Sequence, residues 1–164
     1  NRRLFSAILC AMSRPDGLRI TDVHVHVQPF ETFRPETLGR MRTGRPDFDA
    51  TGYPVKAMQA LERDELLGRR MLTEDWSAGY VILRWWPRQR VFIDDRYDMY
   101  SDSVINDYVT IARGQEGWAR RLDCRKIDLV VWSRGAVLDQ LLAEAPVWRR
   151  IYRDTETTVY ERRE

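Results

Sequence analysis

The chain has 164 residues, with 27 Lys and Arg set against 25 Asp and Glu, enough for one domain with a real core. Six Trp, seven Tyr and five Phe demand burial, which excludes a disordered segment. A net charge of +2, with acids and bases interleaved as in Glu62-Arg63-Asp64-Glu65, lacks the basic stripe of a nucleic-acid binder, so no nucleic-acid partner is expected.

Leu4 to Met12 is apolar and follows Arg2-Arg3, a faint likeness to a signal segment. It is short, and no run reaches the ~20 apolar residues of a membrane span. The chain begins at Asn, so the expectation is a piece of a longer protein. Cys10 and Cys124 have no metal-ligand spacing and read as two unpaired thiols, with a disulfide as the other option. Ile20, Val23, Val25 and Val27 surround His24 and His26 in a short β-type run. Pro29, Pro35, Gly39, Gly44 and Pro46 then punctuate the chain, leaving room only for a short helix from Pro35 to Met41. Residues 1–49 are therefore expected to form an irregular arm.

From Tyr53 the pattern turns regular. Pro54 suits a first helical turn, Val55, Met58, Leu61 and Leu66 give an apolar side, and Gly68 stops the helix. Arg69 to Thr73 reads as a strand. Thr73 or Asp75 caps a helix from Trp76 to Trp86, ended by Pro87. Arg90 to Asp94, with Val91-Phe92-Ile93 running into the acids, reads as a second strand. Ser101 or Ser103 caps a helix carrying Val104, Ile105, Tyr108, Val109 and Ala112, which Gly114 and Gly117 break before a further turn from Trp118 to Leu122. Ile127 to Trp132 is a buried strand, Val137 to Ala145 an amphipathic helix closed by Pro146, and Trp148 to Arg153 with Thr157 to Arg162 a hairpin about Asp154-Thr155-Glu156.

Strands alternating with helices require crossovers. The expected fold is α/β over residues 50–164: three-layer, with a mainly parallel sheet and a C-terminal antiparallel hairpin at its edge.

In such a fold Glu74, Asp75, Asp94, Asp95 and Asp98 all follow strand ends and would share one rim, where open α/β sheets place their sites. That rim could hold Mg²⁺ or Ca²⁺, with Arg96 and Arg134 on an anionic group. The plainer reading is that Asp94 and Asp95 cap a loop and Arg96 pairs locally. Trp76, Tyr80, Trp85 and Trp86 could stack on sugar rings, although their spacing also suits core positions, with Gly79 permitting close helix–sheet approach.

Two resemblances add to this reading. The segment Asp22-Val23-His24-Val25-His26-Val27, continued by Gln28-Pro29-Phe30, Arg34-Pro35-Glu36 and Gly44-Arg45-Pro46-Asp47-Phe48-Asp49, resembles the opening strand of the amidohydrolase superfamily. There the matching pair, His24 and His26, would bind a catalytic Zn²⁺ or Mg²⁺, and the chain would be a fragment of a metal-dependent hydrolase. The chain supplies no other histidine and is too short for eight βα units.

The second resemblance covers residues 49–163. It is carried by Tyr53-Pro54-Val55, Trp76-Ser77-Ala78-Gly79-Tyr80, Arg90-Val91-Phe92-Ile93-Asp94-Asp95-Arg96 with Asp98-Met99-Tyr100, Gly117-Trp118, Leu122-Asp123, Ile127-Asp128-Leu129-Val130 and Trp148 with Tyr152, Asp154 and Val159-Tyr160. Together these are similar to the soluble C-terminal region of bacterial polytopic membrane proteins of the mannosyl- and oligosaccharyl-transferase kind. The likeness departs at Ser77-Ala78, where small residues, often glycines, are usual, and at Arg125-Lys126 in place of Tyr-Gly. It implies a non-catalytic accessory domain on the extracytoplasmic face of a bacterial membrane, partnered by the membrane-embedded portion of its parent and contacting a glycan or lipid-linked sugar. No cofactor is expected on this reading. Asp75, Trp76, Tyr80, Asp94, Asp95, Arg96 and Asp98 are its candidate contacts.

Overall fold

The computed structural model describes residues 53–163. The expected arm, the His24–His26 run, the Pro35–Met41 helix and Cys10 lie outside the described residues. Cys124 is not a free thiol, which corrects the expectation of unpaired cysteines for this residue.

Helix α1 spans Val55–Arg63 and buries Ala57, Met58, Ala60 and Leu61. It ends before Gly68 because Glu65 takes a left-handed turn at φ 57°. Gly68, at φ 93°, bends the chain into strand β1, Met71–Thr73. Helix α2 runs Asp75–Trp85 with Glu74, rather than Thr73 or Asp75, at its N-cap. Helix α3 is Asp102–Ala112 and α4 is Trp118–Cys124. Strand β2, Leu129–Ser133, leads to α5, Val137–Glu144, and then to the hairpin of β3, Trp148–Arg153, and β4, Thr157–Arg162.

The sheet is mixed, in the order β1-β2-β4-β3. β1 pairs parallel with β2, and β4 pairs antiparallel with both β2 and β3. This corrects the mainly parallel sheet, since β4 lies antiparallel beside β2; the C-terminal hairpin does occupy one edge of the sheet, with β3 outermost. Burial explains the choice. β4 is buried from Thr157 to Glu161, whereas β3 exposes Arg149, Arg150 and Arg153 to water.

The expected strand at residues 90–94 is also corrected. Among these residues only Val91 pairs, as a single parallel bridge to Met71, with Phe92 N–H donating to Met71 O at 2.9 Å. β1 is three residues long, so its free edge has little ladder to offer. Asp94 then turns the chain away through its own hydrogen bonds to Arg96.

Side chains alternate across the sheet. Leu72, Val130, Trp132 and Tyr160 pack with Ile93, Ile111, Leu122, Leu138 and Leu142, covered by α3, α4 and α5. Met71, Leu129, Val131 and Val159 pack with Ala57, Met58, Leu61, Val81 and Trp85 of α1 and α2. No described helix is long and apolar enough to cross a membrane.

Candidate functional site

The carboxyl ends of β1 and β2 are adjacent because the strands are parallel, with Thr73 beside Val131. Glu74 and Ser133 therefore emerge side by side, and Ser133 Oγ donates to Glu74 Oε2 at 2.6 Å. Thr73 Oγ1 and Ser77 Oγ, both buried, stand 2.9 Å apart beneath them. Burial pushes the Glu74 carboxyl above its ordinary range, and the Ser133 hydrogen bonds only partly offset this; the neighbouring Asp75 charge adds to the rise.

Asp75 is held by two tyrosines. Tyr108 OH donates to Asp75 Oδ1 at 2.9 Å and accepts from Asp75 N–H at 3.0 Å. Tyr97 OH donates to Asp75 Oδ2. Burial pushes the Tyr108 phenol far above its usual value; the Asp75 N–H bond offsets part of this and the bond to the Asp75 carboxylate adds to it, so the phenol acts as a fixed donor. The loop after Ile93 thus reaches the rim through Tyr97 rather than through its acids.

Asp94 is buried and points back into its own loop. It accepts from Arg96 N–H at 3.0 Å and from Arg96 Nε at 3.1 Å, while its own N–H donates to Tyr100 OH at 3.2 Å. Burial works against its charge, but the Arg96 side-chain and backbone hydrogen bonds outweigh that and hold the carboxyl below the usual range. Arg96 is thereby committed to Asp94. Asp95 and Asp98 are exposed and take no part in the cluster. Arg134 donates to Asp154 O at 3.3 Å instead of reaching the rim.

The plainer reading of Asp94 and Arg96, a loop cap with a local pair, is the observed one. Among the described residues no group of three or more His, Cys, Asp or Glu could hold a metal ion. The shared carboxylate rim for Mg²⁺ or Ca²⁺ is accordingly replaced by a carboxylate–hydroxyl cluster. His24 and His26 lie outside the described residues, so the Zn²⁺ or Mg²⁺ pair has no geometry to weigh.

The aromatics divide by exposure. Trp85 is buried and its Nε1–H donates to Glu62 Oε2 at 3.0 Å. Trp76 is 44% exposed and Trp86 50% exposed, so neither is core. Tyr53 bridges Trp76 and Tyr80, with ring centroids 5.5 Å and 5.3 Å away, and Tyr80 meets Trp85 edge-on at 5.7 Å. An aromatic row thus runs from the core to the surface next to Asp75. Gly79 does not mediate close packing: a Cβ there would meet nothing within 4 Å.

Tyr97, Tyr108 and Ser133 belong to this site although sequence reasoning passed over them. Tyr108 sat in the apolar stripe of α3, and its hydroxyl role depends on where α3 crosses the sheet.

No family model, no curated protein and no solved structure matches the chain.

Proposed function

We propose that this chain is a non-catalytic accessory domain of a membrane glycosyltransferase-like protein. It sits on the extracytoplasmic face of a bacterial membrane, beside the membrane-embedded portion of its parent, and contacts a glycan or lipid-linked sugar. The observation that carries the reading is the Trp76–Tyr53–Tyr80 ring row, whose half-exposed indole follows Asp75 in the chain. A sugar offers an apolar C–H face and a ring of hydroxyls. A half-exposed indole packs on the first, and a carboxylate accepts from the second.

The rim acids are each engaged by a neighbouring side chain. Asp75 carries two phenol donors, Asp94 carries Arg96, and Glu74 carries Ser133.

The test is titration of the purified chain with polyprenyl-phosphate-linked mannose in detergent and with soluble mannose oligomers, followed by NMR. Saturable shifts of the Trp76 indole and of the Asp75–Tyr80 amides are expected, with loss of binding in Trp76→Ala and no sugar released. Release of sugar by this chain alone would overturn the proposal, as would titration curves unchanged in the variant.

A further inference from the structure

The opposite end of the sheet carries a different chemistry. A cavity of about 340 Å³ opens at the amino ends of β1 and β2. Three chain turns meet there: the entry to β1, the segment after α2, and the link from α4 to β2. Each brings arginine, so Arg69, Arg70, Arg88, Arg90 and Arg125 all line the cavity, against an apolar wall that includes Phe92. No Asp or Glu is among the described residues lining it.

These charges are under-compensated. Arg69 pairs with Glu161, but the same carboxylate also serves Arg149. Arg125 pairs with Asp107, which Arg121 shares. Arg88 reaches Glu62 at 2.9 Å on the outer side. Arg70 and Arg90 have no carboxylate partner among the described residues. Arg90 instead lies over the Trp86 ring at 5.5 Å, and Arg125 over Phe92 at 5.8 Å.

The walls are held in place by a buried glutamine. Gln89 is fully buried; its Oε1 accepts from Gly68 N–H at 2.8 Å and its Nε2 donates to Arg69 O at 2.9 Å. One side chain thus fixes the spacing between two of the three arginine-bearing turns. Convergent arginines, an excess of positive charge and an apolar wall suit a phosphate or pyrophosphate group attached to an organic body.

We infer that this cavity is a binding site for a phosphorylated organic ligand, with Arg70 and Arg90 as its principal anion contacts. The inference stands apart from the glycan reading, because it uses other residues at the other end of the strands.

Calorimetric titration of the full chain with inorganic pyrophosphate at physiological salt tests it. Saturable binding is expected, weakened about tenfold by Arg70→Gln and again by Arg90→Gln, since a charge-assisted hydrogen bond is lost in each. Arg113→Gln, at an exposed arginine that does not line the cavity, controls for bulk charge and leaves binding unchanged. A parallel arm uses phosphatidic acid vesicles against phosphatidylcholine vesicles. Binding of soluble pyrophosphate identifies a free ligand, and binding only to the acidic vesicles, with the same Arg70 dependence, identifies a lipid phosphate. No saturable binding in either arm overturns the inference, as does equal weakening by the Arg113 control. Thermal unfolding of each variant, unchanged for these solvent-facing substitutions, separates a lost contact from a lost fold.

Discussion

At the scale of single residues, the rim is a place where two carboxyls are driven in opposite directions. Asp94 is pulled down by the Arg96 hydrogen bonds in spite of its burial, and Glu74 is pushed up by burial with only Ser133 to offset it. For Glu74 the folded value lies above the unfolded one. Its contribution to stability is therefore fully present below the ordinary glutamate value of 4.5 and is lost as pH rises through the raised folded value. Glu74→Gln keeps an acceptor for Ser133 and removes the charge. The variant should melt higher than the parent at pH 7, and the gain should vanish near pH 4. A melting-temperature series across that window checks this; a gain that persists at low pH would show that ionisation is not the cause.

At the scale of elements, the turn after α3 sits closely against α5. Gly114 has φ 61°, and a Cβ built on it would collide with Leu141 Cδ1 and stand 2.8 Å from Val137 Cγ1. Gly114→Ala is expected to cost about 2 kcal/mol or more, from overpacking and from left-handed backbone strain together. Gly79 is the contrasting case. It lies within α2 and faces open space, so Gly79→Ala should stabilise by about 0.5–1 kcal/mol through helix propensity alone. Urea denaturation of the two variants gives opposite shifts in midpoint if the two glycines differ as described. The spacing of the sequence placed both as breakers or spacers, and nothing local distinguished them, because the distinction is made by α5.

On the scale of the whole described domain, β2 and β4 contribute side chains to both apolar clusters, one on each face of the sheet. Neither face can come apart without the strands the other needs. Met58→Ala on one face and Ile111→Ala on the other should each lose about 2–5 kcal/mol, both residues being fully buried. Each variant should still unfold in one transition, with tryptophan fluorescence and far-ultraviolet circular dichroism coincident. Separate transitions for the two probes would mean that the clusters are independent.

Much of the fold is legible in the sequence. Apolar spacing, Gly and Pro breaks and the continuous run at Leu129 to Trp132 located all five described helices and all four strands to within a few residues, because those signals are local and each element must bury one face. The order of strands was not legible. Trp148–Arg153 and Thr157–Arg162 form the expected hairpin, yet only the packed sheet decided that the second arm pairs with β2 and that Val91 contributes a single bridge. The same division holds for the sites. Asp75, Trp76 and Tyr80 could be singled out by type and position, and the Asp94–Arg96 pair by proximity in the chain. The tyrosines that hold Asp75 and the arginines that converge on the cavity come from segments far apart in sequence. Their meeting depends on where helices cross the sheet, a property of long-range packing that no local window of residues encodes.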